Sequence, residues 1–320
     1  MTRIHLDTDL GGDPDDACAL AMLLGWPGAD LVGITTTIDP GGQRAADVAH
    51  CLRLAGRDSI PLAAGAEVSS TTDTIAAPIV GDERHWPTGL APRPSPPGGA
   101  LDLLAVSIGA GATIVAIGPL TNLARLETAR PGILGQARIV VMGGWIRPPA
   151  AGLPAWGPAM DWNIQWDTNA AEIVAAAAGD LTLVTLPATL KAHLRAADLP
   201  RLRASGPLGA LLARQSEAHG QDEGMIALGR AHAALPDDLL NFHYDPVTCA
   251  VALGWPGAVI EDMRLRTERE GDLLRFRPDS RGRPVRVAVD VDGPAFMAVW
   301  LAAMDAAQRG GRDRERQSPA

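Results

Sequence analysis

Five aspartates fall within ten positions near the start of the chain: Asp7, Asp9, Asp13, Asp15 and Asp16 in LDTDLGGDPDDACAL, residues 6 to 20. Acids at a strand-to-helix junction cap the helix and complement its dipole, so one or two of them need no further explanation. Five exceed that need. Carboxylates this close repel and shift one another's proton affinity unless a cation holds them. An all-oxygen set favours a hard divalent ion, Ca²⁺ or Mg²⁺, over zinc, and calcium takes about six to eight oxygen ligands.

Such residues need elements that bring them together. IHLD reads as a strand and ACALAMLLG as a helix; LVGITTT, QRAADVAHCLRLAG and IPLAAG continue the alternation of short β-branched runs with alanine- and leucine-rich segments. The rhythm resumes with LDLLAVSIGAG, TIVAIG, TNLARLETA, ARIVVMGG, NAAEIVAAAAG and LTLVTLP, so a βαβ series covers at least residues 3 to 188. The expected fold is α/β: a doubly wound, mostly parallel central sheet with a Rossmann-like core and helical C-terminal additions. Residues 66 to 99 and 143 to 161 interrupt it as proline- and glycine-rich insertions, a kind of loop that often carries function. From 191 to 242 the pattern turns mostly helical, VIEDMRLRTE and VRVAVDVD read as late strands, and PAFMAVWLAAMDAAQ as a final helix. A single domain over 1–308 and a disordered tail over 309–320 are expected.

DDACALAMLLGWPGADL recurs in outline as DPVTCAVALGWPGAVI, with Asp16 and Asp245 each nine residues before the glycine of a GWPGA turn, Gly25 and Gly254. Two readings stand. The helices share only a cheap stop signal, glycine followed by proline, or they start at one place, where parallel sheets bind ligands, and bring their first-turn carboxylates together.

The composition narrows the partners. With 47% hydrophobic residues in 320, the chain can fill an enzyme-sized core. A net charge of −9 with no Lys/Arg stripe excludes a nucleic-acid surface and leaves small molecules or cations. Cys18, Cys51 and Cys249 are scattered and odd in number, which implies neither a disulfide framework nor a thiolate zinc site and fits a reducing cytoplasm. With no apolar signal core and no uncharged apolar run of about 18 residues, a soluble, unprocessed protein off the membrane is expected.

Two enzyme classes place acids after a first strand. Haloacid-dehalogenase-like phosphatases use DxD beside Mg²⁺, and DTD at 7 to 9 fits superficially. Gly11 stands where that class expects Thr or Val, however, and its later Lys and second acidic pair are not evident. The other class fits along the chain. LDTDLGGDPDDACAL resembles the N-terminal signature of the inosine-uridine preferring nucleoside hydrolases, DTDxGxDDA or the longer DTDxGxDxDDA. GITTT at 33 to 37, AIGPLTNLA at 116 to 124, VVMGG at 140 to 144, MDWNIQWDTNAAEIV at 160 to 174 and YDPVTCAVAL at 244 to 253 are similar to further segments of that family, in its order.

The resemblance implies a Ca²⁺-dependent hydrolase of the N-glycosidic bond of ribonucleosides or a related N-ribosyl compound, in which the metal holds two ribose hydroxyls and presents a water. A calcium-dependent nucleoside-binding protein without turnover is the non-enzymatic alternative. Carried onto this chain, the metal ligands are Asp9, Asp16, Asp245 and the carbonyl of Ile117. Asp9 also takes a proton from the water, Asp15 orients a ribose hydroxyl, and Asp161 and Asn163 hold the hydroxymethyl side. Asp7 reads as a structural acid, while Asp13 either adds a contact or only shapes the loop. Where several relatives have a histidine acid for the leaving base, FHYDP puts Tyr244, with His243 one residue earlier. Adjacent residues of an extended segment face opposite ways, so one of the two faces the pocket; Tyr244 is favoured by position, in contact with the base. Asp39 after ITTT and Trp86 among the loop tryptophans are the remaining substrate-contact candidates. The family commonly forms homodimers or homotetramers.

Overall fold

The computed structural model describes residues 1–72 and 75–315, with 308–315 by backbone alone. Among the described residues eleven strands form: β1 Thr2–Thr8, β2 Ala29–Thr36, β3 Leu62–Ala64, β4 Thr113–Ala116, β5 Arg138–Met142, β6 Asp180–Val184, β7 His193–Arg195, β8 Leu239–Phe242, β9 Ala258–Glu270, β10 Leu273–Pro278 and β11 Arg283–Val291. The helices are α1 Asp15–Gly25, α2 Gln43–Leu54, α3 Gly99–Gly109, α4 Thr121–Ala129, α5 Trp162–Trp166, α6 Thr168–Ala177, α7 Leu186–Thr189, α8 Leu199–Ala204, α9 Pro207–Asp222, α10 Met225–Ala231, α11 Tyr244–Ala252 and α12 Gly293–Glu315.

Nine strands make one sheet in the order β10-β9-β11-β6-β5-β4-β1-β2-β3. From β3 to β11 by way of β6 the pairings are parallel, and the β9–β10 hairpin adds an antiparallel edge. The run β3-β2-β1-β4-β5-β6 reverses direction between β1 and β4, and in open α/β sheets ligands bind beyond the strand ends at that reversal. The DTD acids leave β1 and the GPLTN segment leaves β4, so both arrive there.

Strand periodicity explains why both faces are covered. Val115, Val140 and Met142 pack into one core with α1, α2, α11 and α12. Their neighbours Ile114, Ile139 and Val141 pack on the other face with α3, α4 and α6. Helix α1 is buried almost all round, as its unbroken apolar run requires, and lies against α11 and α12.

Three expectations are corrected. The 191–242 region contains a small antiparallel pair, β7 and β8, among its helices. The late strands are three rather than two, because LLRFRP forms β10 on the β9 hairpin. Helix α12 continues to Glu315, past the expected boundary at 308, and residues 316–320 of the expected tail lie outside the described residues. Among the described residues no helix is long and apolar enough to cross a membrane.

Candidate active site

The end of β1 sorts its acids by face. Ile4 and Leu6 enter the core beneath α1, so His5 and Asp7 point the opposite way. Asp7 Oδ1 accepts from Thr35 Oγ1 at 2.5 Å and from Asn122 Nδ2 at 2.8 Å, and His5 bridges Thr35 to Ser107 of α3. This buried set ties β1 to β2, α3 and α4, and it turns Asp7 away from the other acids. Burial pushes the Asp7 carboxyl up to about 7 and the His5 imidazole down to about 3.

Asp15 and Asp16 open α1, Asp245 opens α11, and one carboxylate oxygen of each lies within 4.8 Å of the others. The duplicated GWPGA stretches therefore mark two helices that start together. Thr8 Oγ1 donates to Asp16 Oδ1, and the Asp245 amide donates to Asp15 Oδ2 at 3.4 Å. All three acids are buried, and burial first, then repulsion from neighbouring carboxylates, raises each well above the usual carboxylate range. Three converging buried oxygens at two helix N-termini, none of them ion-paired to a base among the described residues, are a donor set suited to a hard divalent cation.

Asp9 stands beside this trio. Its Oδ2 accepts from Trp162 Nε1 at 3.2 Å, and its carbonyl accepts from Arg44 Nη1. Burial raises its carboxyl, an effect the Arg44 charge opposes. Gly118 lets the β4 loop close on it: a Cβ there would lie 2.7 Å from Asp9 Oδ1 and 2.8 Å from its amide nitrogen. Asn122 of the same GPLTN segment also donates to the Thr36 carbonyl at 2.9 Å and accepts from the Ala66 amide at 2.9 Å, fastening three strand ends. Ile117 lines the cavity, and its carbonyl accepts from Asn163 Nδ2 at 3.1 Å, which leaves it a second lone pair.

Asp161 Oδ2 accepts from the Gly144 amide at 2.6 Å, while its Oδ1 is buried with no partner, and burial raises this carboxyl to about 7. The MGG turn makes the approach possible, since Gly143 adopts φ 147° and a Cβ there would meet Ile164 Cγ1 at 2.8 Å. Asp9, Asp15, Asp16, Asp245, Asp161 and Asn163 all line one cavity of about 620 Å³, together with Ile117 and Tyr244.

Three sequence candidates lie elsewhere. Asp39 caps α2, accepting from the Arg44 and Ala45 amides at 2.8 and 3.1 Å and from Thr36 Oγ1 at 2.6 Å, and it is absent from the cavity wall. Trp86 is buried in the core with its Nε1 donating to the Gly11 carbonyl at 3.3 Å. His243 packs behind the site against Phe296 and Trp300, ring centroids 5.7 and 4.4 Å away, with both nitrogens unpartnered and its imidazole pushed down to about 3 by burial. Tyr244, not His243, faces the cavity. Because burying an unbonded polar ring is unfavourable, His243→Leu is expected to keep turnover within about twofold and to hold or raise the melting temperature. A loss of turnover in a folded variant would return His243 to the mechanism.

Asp13 shapes the loop. Its Oδ1 accepts from the Asp15 amide at 3.0 Å, an Asx turn that aims Asp15 and Asp16, and from Asn241 Nδ2 of β8. Sequence reasoning missed Arg44, His85, His219, Asp222 and Glu223, all on the cavity wall. The proline-rich insertion that carries His85 was the one usable signal. Arg44 is buried and binds the carbonyls of Ile38, Leu10 and Ala76 at 2.8, 3.2 and 2.6 Å in addition to that of Asp9. Ile38 is the one non-glycine with positive φ among the described residues, at 48°, and this strained turn presents its carbonyl to Arg44.

A switch-point cavity floored by converging carboxylates is suited to a hard cation and a small polar ligand, and comparison with known proteins gives the family. A sequence model of the inosine-uridine preferring nucleoside hydrolases matches residues 4–298. The pyrimidine-specific ribonucleoside hydrolase RihA of Salmonella schwarzengrund is 35% identical over 223 residues, 66% of this chain and 68% of that protein. Its counterpart of the same name from Citrobacter koseri is 36% identical over 223 residues with the same coverage. Among solved structures, a purine-preferring ribonucleoside hydrolase from Gardnerella vaginalis matches with a TM-score of 0.78 at 25% identity, over 96% of this chain and 100% of that one. A plant nucleoside hydrolase matches at 0.76 and 25%, over 95% and 99%. The chain belongs to the inosine-uridine preferring nucleoside hydrolase family, and the relatives named here are nucleoside hydrolases, enzymes of the N-glycosyl hydrolase class.

Proposed function

We propose that the protein hydrolyses the N-glycosidic bond of ribonucleosides to free base and ribose, with a calcium ion held by Asp16, Asp245, Asp9 and the Ile117 carbonyl. The observation that carries this reading is the meeting of the buried carboxylates of Asp15 and Asp16 with that of Asp245, some 230 positions later in the chain, with no ion-paired base among the described residues. Family membership supplies the reaction class. When bound, the cation would hold two sugar hydroxyls and make a neighbouring water more acidic.

The protein's own groups do the rest. Asp9 accepts the proton of the attacking water, with Trp162 holding one of its oxygens in place. Asp15 accepts a hydrogen bond from a ribose hydroxyl. Asp161 and Asn163, both on the cavity wall, hold the hydroxymethyl side of the sugar. The carboxylates stabilise positive charge as the anomeric carbon becomes oxocarbenium-like. Tyr244 contacts the base as a neutral phenol, since burial and the charges of Asp13, Asp15 and Asp245 raise it well above its usual range.

The test is release of reducing sugar from uridine, cytidine, inosine and guanosine, in EGTA and after calcium is restored. Loss in EGTA with recovery in calcium is the expected result. Calcium-dependent binding without ribose would overturn turnover, and equal recovery with magnesium would replace calcium as the metal. The relatives divide between pyrimidine-specific and purine-preferring enzymes, so the panel also fixes the base.

A further inference from the structure

The ladders of β1 end at Thr8, paired with Thr36, and at Asp7, paired with Ala116. Asp9 is therefore past the sheet, where no strand pairing sets its backbone. Among the described residues its carbonyl and that of Leu10 accept only from Nη1 of Arg44, at 3.2 Å for Leu10. Arg44 lies 35 positions later, in the first turn of α2, buried and on the cavity wall. Its guanidinium is aimed from further points: Nε donates to the Ile38 carbonyl at 2.8 Å, and Nη2 to the Ala76 carbonyl of the 66–99 insertion at 2.6 Å. Its amide donates to Asp39 Oδ1 at 2.8 Å, which fixes the stem of the side chain.

A buried cation is ordinarily matched by a carboxylate. Arg44 forms no ion pair among the described residues and gives its donors to four main-chain carbonyls instead. Those carbonyls come from three segments: the end of β1, the turn after β2 and the insertion. Only a planar fork of N–H groups holds acceptors at several set angles from one side chain, and a lysine ammonium does not reproduce it. The other sides of Asp9 are closed as well, by Gly118 against its amide and by Trp162 on Oδ2. The direction of the Asp9 carboxylate thus follows from a backbone that Arg44 holds.

We propose that Arg44 is a positioning residue for water attack: by fixing the Asp9 and Leu10 carbonyls it aims the Asp9 carboxylate at the attacking water. This rests on the ribonucleoside hydrolase reading and on Asp9 as the proton acceptor. A misplacement of about 1 Å at a reacting group costs about 10²-fold in rate. Substrate binding, which Asp15, Asp161 and Asn163 provide from other elements, is left intact, so the loss falls on kcat.

The test uses 4-nitrophenyl riboside at saturating calcium, because its phenolate leaves without a proton and the rate reports on water attack. Arg44→Lys should lower kcat by about 10²-fold and keep KM within about threefold of the wild type. In an Asp9→Ala background the same substitution should change kcat by less than about twofold, since the group that Arg44 aims is gone. Arg44→Gln, which keeps N–H donors without the charge, should repeat this pattern, and thermal unfolding checks that each variant is folded. Losses that multiply in the double variant, a raised KM with unchanged kcat, or near-normal rates in the folded single variants would overturn the assignment. Failure of both single variants to fold would also overturn it, making Arg44 a support of the fold rather than of the reaction. A wild-type protein that cleaves neither this riboside nor uridine would overturn the hydrolase reading itself.

Discussion

Asp9→Ala is expected to lower kcat for a ribonucleoside by about 10²–10⁴-fold while the protein still folds. The Asp9 side chain makes one described hydrogen bond, from Trp162 at the half-exposed cavity mouth. The loop's course is set instead by its backbone, whose Asp9 and Leu10 carbonyls are held by Arg44. Removing the carboxylate therefore takes away a proton acceptor without releasing the loop. Initial rates and thermal unfolding on the same preparation check this, and near-normal turnover in a folded variant would remove Asp9 from the chemistry.

The second large effect concerns stability and the metal. Burial raises Asp7, Asp47 and Asp161 to about 7, and Asp15, Asp16 and Asp245 are also raised. A carboxyl whose folded pKa exceeds its unfolded value binds more protons in the folded state, so its stabilising contribution is full below about pH 4 and is lost as pH rises through the folded value. Metal-free protein is thus expected to lose stability between about pH 4 and 8. Calcium should reverse the loss at neutral pH, by about 2.7 kcal/mol at one hundred times its dissociation constant. Asp245→Asn removes one of three facing charges, so it should be more stable than the wild type in EGTA yet gain nothing from calcium. Urea unfolding at pH 5 and 8, with EGTA or calcium, decides it; a wild type indifferent to calcium would remove the cation from this site.

The parallel sheet was legible because β-branched runs and helical segments alternate with a clear period from IHLD to LTLVTLP. Strand β10 was not, since LLRFRP follows a charged run and gains its strand character from pairing with β9. The floor of the site was legible for a related reason: its acids stand at the ends of regular elements, where local sequence dictates geometry. Asp39 and Trp86 failed because a nearby position in sequence does not fix the direction of a side chain; one turned into a helix cap and the other into the core. Arg44 and Asp222 gave no local signal at all, because what places them on the cavity wall is the packing of segments distant in sequence.

The meeting of α1 with α11 has a consequence for assembly. Asp15 and Asp16 are made early in the chain, whereas Asp245 arrives only after the strands through β8 have been laid down. No partial chain lacking α11 carries all three oxygens. At the proposed metal site, cation uptake would thereby report that the first and the late parts of the polypeptide have found each other, and a nascent or truncated chain should stay silent to an ion that the whole chain binds.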